Sequence, residues 1–124
     1  MVALSTALVA AGAIVYDGEG RVAIVAGSSG GSAIINYVAK TLVGIIDWKL
    51  DPQAAIALPN FGSRNGPTEL EAGTSVAGRE PRLRALGHET LVTEHTSGVQ
   101  AIVQTGNGWI GGADPRREGV VMGD

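Results

Sequence analysis

The run Val22-Ala-Ile-Val-Ala-Gly-Ser-Ser-Gly-Gly-Ser-Ala-Ile-Ile-Asn-Tyr37 constrains the fold more than any other part of the chain. A β-branched apolar stretch feeds a glycine-serine loop that opens directly into an apolar helical pattern. Glycines at Gly27, Gly30 and Gly31 let the main chain approach a bound group closely. The first amides of the following helix have no partner within the helix and favour negative charge. The junction therefore reads as an anion or oxyanion cradle, although the same order also serves as an ordinary tight connection in α/β proteins. Gly-x-x-Gly-Gly-Ser is not the dinucleotide spacing Gly-x-Gly-x-x-Gly, and no lysine follows to meet a phosphate. An oxyanion or carboxylate is thus preferred over a nucleotide.

The elements around this junction follow from apolar period and turn residues. Ala13 to Tyr16 and Arg21 to Val25 flank Asp17-Gly-Glu-Gly20, which predicts a β-hairpin. From Ser32 to about Leu50 the period is helical, with Ile34, Ile35, Val38, Leu42, Ile45 and Ile46 on one wide face. Tyr37, Val43 and Trp48 fall off that face, which predicts a helix covered on more than one side. Asp51 and Pro52 form an N-cap and first helical position, and Pro59 ends the short segment they start. Asn60 to Pro67 reads as an extended loop. A short helix spans about Glu80 to Leu86, closed by Gly87. Leu91 to Thr93, Val99 to Gln104 and Trp109 to Gly112 read as strands, the last two joined by a hairpin turn. Sheet hairpins at both ends with the longest helix between them give an α+β fold, and no repeat or linker divides residues 1–124 into more than one domain.

Composition removes several function classes. With no cysteine, thiolate metal sites, disulfides and cysteine nucleophiles are excluded. His88 and His95 lack a recognised ligand spacing, so neither a metal nor a cofactor is expected. A net charge of −3 offers no basic field for nucleic acid or anionic lipid. The apolar opening Met1 to Gly12 is too short to span a bilayer, which takes roughly 20 residues, and lacks a basic start; it reads as a buried strand or irregular chain start. Trp48 and Trp109 are expected in or against the core. Asp114-Pro-Arg-Arg117 reads as a turn with an ordinary ion pair near a chain end. Arg64 and Asn65 sit in a loop long enough to reach a substrate or partner, or to be tied by its own side chains.

Several motifs in register carry a resemblance. Gly27-Ser-Ser-Gly-Gly-Ser32, Ile46-Asp-Trp48, Ala57-Leu-Pro-Asn-Phe61, Leu86-Gly-His-Glu89 and Gly111-Gly-Ala-Asp-Pro-Arg-Arg117 resemble, in order and spacing, the C-terminal part of the small subunit of γ-glutamyltransferases. The resemblance covers about Ile14 to the chain end. It implies part of the N-terminal-nucleophile hydrolase fold, an αββα sandwich of antiparallel sheets with packed helices, completed by a large subunit and the remainder of the small subunit. It implies cleavage of glutathione or other γ-glutamyl compounds by an N-terminal Thr through an acyl-enzyme. Gly30 and Gly31 match the family's paired glycines, whose backbone amides form the oxyanion hole.

The departures are equally informative. The family nucleophile lies in a Thr-Thr-His context that does not occur here, and Thr93-Glu-His95 is only an echo of it. The family's Ser-Ser pair, a carboxylate grip, is replaced by Val9-Ala-Ala-Gly-Ala13. Residues 1–12 are thus atypical, and the chain is expected to be a fragment, inactive alone and prone to self-association. Related acylases of glutaryl cephalosporins share the glycine pair and are an alternative. A non-catalytic interaction module is another. By resemblance alone the compartment would be periplasmic or secreted.

Overall fold

The computed structural model describes residues 11–123. Apart from its last two residues, which open the first strand, the apolar opening lies outside the described residues. Strands β1 (Ala11–Tyr16) and β2 (Val22–Ser28) form the expected hairpin, its turn held by the Asp17 carboxylate, which accepts from the Glu19 and Arg21 amides. Helix α1 (Ile34–Ile46) follows a single 3-10 turn, Gly31–Ala33. Helix α2 (Pro52–Ala57) begins as predicted, with the Asp51 side chain accepting from the Ala54 amide at 3.0 Å. Then come β3 (Phe61–Gly62), β4 (Thr68–Glu71), α3 (Glu80–Ala85), β5 (Thr90–Thr93), β6 (Gln100–Thr105) and β7 (Gly108–Ala113). Gly87 takes φ 92 just past α3, the left-handed stop that the sequence indicated.

The main sheet has the order β1-β2-β6-β7, every pair antiparallel. Its inner face carries Ile24, Ala26 and Ala101, and α1 lays Ile34, Tyr37, Val38 and Ile45 against it. Helix α2 completes this core with Ala55 and Ile56, both fully buried. The two helices approach closely at Gly44, where a Cβ would come within 2.9 Å of the Ala55 Cβ. At its Ala113 end the edge of β7 is capped by a side chain: the Gln53 carboxamide both donates to Ala113 O and accepts from Ala113 N at 3.0 Å, as a strand residue would.

Of a second sheet, β3-β4-β5, only β5 was legible in the sequence, as the strand read at Leu91 to Thr93. Phe61–Gly62 falls inside the stretch read as loop, and Thr68–Glu71 alternates too briefly to register as a strand. Within it β4 and β5 run parallel, which needs the long crossover that contains α3.

Burial corrects three expectations. Trp48 and Trp109 are 59% and 51% exposed rather than packed in the core, and Ile35 on α1 is 73% exposed. Trp109 pairs with Gln104 and shares the outer sheet face with Ile102, Val25 and Ile14; Val121 lies over Gly111 on that face, while Ile14 and Trp109 are exposed. The helix is therefore buried on its sheet side and exposed on the flank that Ile35 and Ile46 occupy.

Candidate active site

The glycine loop leaves β2 at Ser28, whose hydroxyl donates to Ser29 O at 2.7 Å and accepts from the Gly98 amide at 3.3 Å. Gly30 has φ 130 and ψ 26, and Gly31 has φ 68. Both values lie where an L side chain is strained, so the loop needs glycine at both positions. Gly30 is constrained a second time, since a Cβ there would come within 3.0 Å of Tyr37 Cε2. At Gly31 nothing lies within 4 Å of such an atom. Neither amide donates to a backbone acceptor among the described residues. Two N–H groups are thus left unpaired at the head of a 13-residue helix, where the aligned peptide dipoles favour a partial negative charge.

Behind the loop sits a pair that the sequence did not bring together. The Tyr37 ring meets the His95 ring edge-on at 5.9 Å, and the Tyr37 hydroxyl lies 3.3 Å from His95 Nδ1. Burial lowers the pKa of His95, outweighing the pull of Glu71 and Glu69, so neutral imidazole is favoured. Its Nε2 is buried without a partner among the described residues. Tyr37 falling off the main apolar face of α1 was the available signal that something other than the sheet covers it. What covers it is His95, 58 residues away, and no local pattern encodes that distance.

A polar network anchors the base of the site. Asp114 accepts from the Ser97 hydroxyl at 2.6 Å and the Val99 amide at 3.1 Å, and it pairs with Arg116 Nη1 at 3.1 Å. Arg116 also binds both carboxylate oxygens of Glu71, with Nη2 at 2.9 Å from one and Nε on the other. The same guanidinium donates to Ile56 O and Leu58 O, the two carbonyls that Lys40 Nζ reaches at 2.9 and 2.7 Å. Two cations and two carboxylates thus balance within one cluster. Burial would raise the Glu71 pKa, but hydrogen bonds from Arg116 and the Asn60 amide hold it below its ordinary value. Asp114 is lowered in the same way, chiefly by the Ser97 hydroxyl and backbone amides acting against burial. The Asp114–Arg116 turn is therefore a buried tie, with Asp114 only 4% exposed, rather than an ordinary pair at a loose end.

Two further arginines flank the loop. Arg64 Nη1 donates to the Ser32 hydroxyl, and its Nη2 lies 3.0 Å from Glu69. Arg117 donates from Nε to Thr96 O at 2.9 Å and packs against Gly98 beside Ser29. Among the described residues no group of three or more His, Asp or Glu side chains could hold a metal ion.

The family model for gamma-glutamyltranspeptidase matches residues 7–124. The chain belongs to the gamma-glutamyltranspeptidase family. Among solved gamma-glutamyltranspeptidases, a mutant from Helicobacter pylori superposes with TM-score 0.78 at 23% identity, covering 94% of this chain and 66% of that one. The enzyme from Pseudomonas nitroreducens complexed with L-DON gives TM-score 0.79 at 23% identity, over 99% of this chain and 67% of that one. The Bacillus anthracis transpeptidase CapD gives 0.75 at 22% identity, over 93% of this chain and 70% of its own. This chain spans just under two thirds of the first of these structures. The α+β arrangement expected from the resemblance is the one found, that of the N-terminal-nucleophile hydrolase sandwich in this family.

Against the family pattern, Gly30 and Gly31 stand together at the head of α1, while Thr93 lies at the end of strand β5. His88 is exposed, and the loop around Asn65, which takes φ 63, is tied by the Ser63 hydroxyl to Gly66 O at 2.8 Å. The loop is thus tied in part by its own side chains, while Arg64 reaches out of it to Ser32 beside the glycines.

Proposed function

We propose that this chain supplies the oxyanion-stabilising loop of an enzyme that cleaves γ-glutamyl amides, with Gly30 and Gly31 donating their amides to the developing oxyanion. The observation that carries this reading is the pair of left-handed glycines with unpaired amides at the start of α1. In such an enzyme a Thr with a free α-amine attacks the amide carbonyl, and negative charge gathers on the carbonyl oxygen. Donors already fixed in place stabilise that charge without reorganising, each contributing on the order of 3 kcal/mol. Collapse expels the amine and leaves an acyl-enzyme, which water or a second amine resolves.

The nucleophile and most substrate contacts come, on this reading, from outside these 124 residues. The partners are a large subunit and the rest of the small subunit; the substrates are glutathione or other γ-glutamyl compounds, and the setting is periplasmic or secreted. Among the described residues Ile14 and Trp109 stand exposed on the outer sheet face, which supports a further layer from a partner. The same face is the observation that favours the second reading, an interaction module without chemistry of its own.

The test is release of p-nitroaniline from γ-glutamyl p-nitroanilide. The chain alone should stay at background. Assembled with a family large subunit and a segment bearing the N-terminal Thr, it should turn over, and replacing the Gly31 amide by an ester, which removes the donor without adding a side chain, should lower that turnover by about two orders of magnitude. Activity of the chain alone, or an unaffected ester-bearing assembly, would sink the proposal.

A further inference from the structure

We propose that Arg64 is a carboxylate-recognising residue, holding the carboxylate of a small ligand beside the Gly30–Gly31 loop. The local fold brings it there by two contacts. Gly62 packs so closely on Asn36 of α1 that a Cβ would lie 2.1 Å from Asn36 Nδ2, which sets the following loop over the first turn of the helix. The Arg64 side chain then reaches Ser32, the residue next to Gly31.

A guanidinium carries five N–H donors in a rigid fork that fits a carboxylate in a bidentate manner. Ser32 and Glu69 take one donor each in this structure, and the side chain stays 50% exposed, so most of the fork is free for a ligand. Glu69 is the less exposed partner, at 25%, and orients the head group from the protein side. An exposed ion pair of this kind contributes little to stability, so stability is not what the residue chiefly provides. What it provides is a fixed positive group next to two unpaired backbone amides. Arg117 on the opposite flank adds a second. An acyl compound whose carbonyl oxygen sat on the glycine amides would carry a carboxylate, if it had one within a few bonds, into reach of Arg64. That placement of the carbonyl rests on the function proposed above; the grip of Arg64 on the carboxylate does not.

The experiment is a ¹⁵N NMR titration of the 124-residue chain, following the amides of Gly30, Gly31 and Ser32 and the Arg64 Nε. Three probes separate the chemistry: glutaramate, with its carboxylate on the acyl side of the amide; N-acetylglycine, with it on the amine side; and neutral glutaramide. Saturable shifts with either carboxylate and none with glutaramide are expected, and the tighter of the two identifies the side on which the carboxylate lies. Arg64→Gln should weaken that binding about tenfold or more. Arg64→Lys should recover part of it, and Arg82→Gln on α3 should leave it unchanged. Equal shifts with glutaramide, no shifts at all, or an Arg64→Gln chain that binds as tightly as the parent would overturn the proposal. Carboxylate binding through Arg64 without turnover by the assembled enzyme would defeat the proposed function alone.

Discussion

At the scale of single residues, the two loop glycines differ in what they tolerate. Gly31→Ala meets no neighbour and bears only the left-handed backbone, which costs about 1–2 kcal/mol. Gly30→Ala meets both its backbone and the Tyr37 ring, so its loss of stability in urea unfolding should be the larger, by about 1 kcal/mol or more. Equal losses would show that Tyr37 yields freely. Lys40 offers a second measurement. Burial, together with Arg116 nearby, lowers its pKa to about 8 despite the attraction of Asp114 and Glu71. Below about 8 both folded and unfolded chains hold this proton; from about 8 to its unfolded value near 10.5 only the unfolded chain does. Stability should therefore rise with pH in that window, by at most about 1.4 kcal/mol per pH unit. Tyr37, raised by burial, acts in the opposite sense above about pH 10, so the rise is best read between pH 8 and 10. Lys40→Met should flatten the profile over that range, and an unchanged slope would assign the effect to another group.

Among the elements, those written in local chemistry were legible and those written in distant contacts were not. Asp17-Gly-Glu-Gly20 marked the first hairpin, Asp51-Pro52 the start of α2 and Gly87 the end of α3, because each residue acts on the backbone within a few positions of itself. The glycine loop was legible for the same reason. The sheet containing β3 and β4 was not, since two strands of two and four residues depend on partners rather than on their own pattern. Nor was the joining of Glu71 to Arg116 across 45 residues, which turns an apparently ordinary surface turn into a buried tie. That tie makes the element-scale prediction. Arg116→Met removes the counter-charge of Glu71 and Asp114 and should cost about 3–5 kcal/mol in chemical unfolding. The exposed pair Arg21–Glu19 is the contrast, and Arg21→Met should cost less than about 1 kcal/mol. Similar losses for both would mean that the cluster is not coupled to the fold.

For the molecule as a whole, the described residues leave Ile14 and Trp109 on the main sheet and Ile35 and Ile46 on α1 exposed, and clustered apolar surface seeks cover. Sedimentation of the chain alone should show concentration-dependent association, accompanied by binding of an apolar dye. Trp109→Ser together with Ile14→Ser should reduce both while leaving the core untouched, since both side chains face away from it. A monomer that binds no dye at high concentration would remove this face as a docking surface. The Arg116 tie has a temporal consequence as well. Its partners Ile56, Leu58 and Glu71 all precede it in the chain, so Glu71 and the carbonyls at the end of α2 are made before the guanidinium that ties them together. Contacts of such long sequence separation close slowly. The tie between the end of α2 and β4 therefore cannot close until Arg116 has been made.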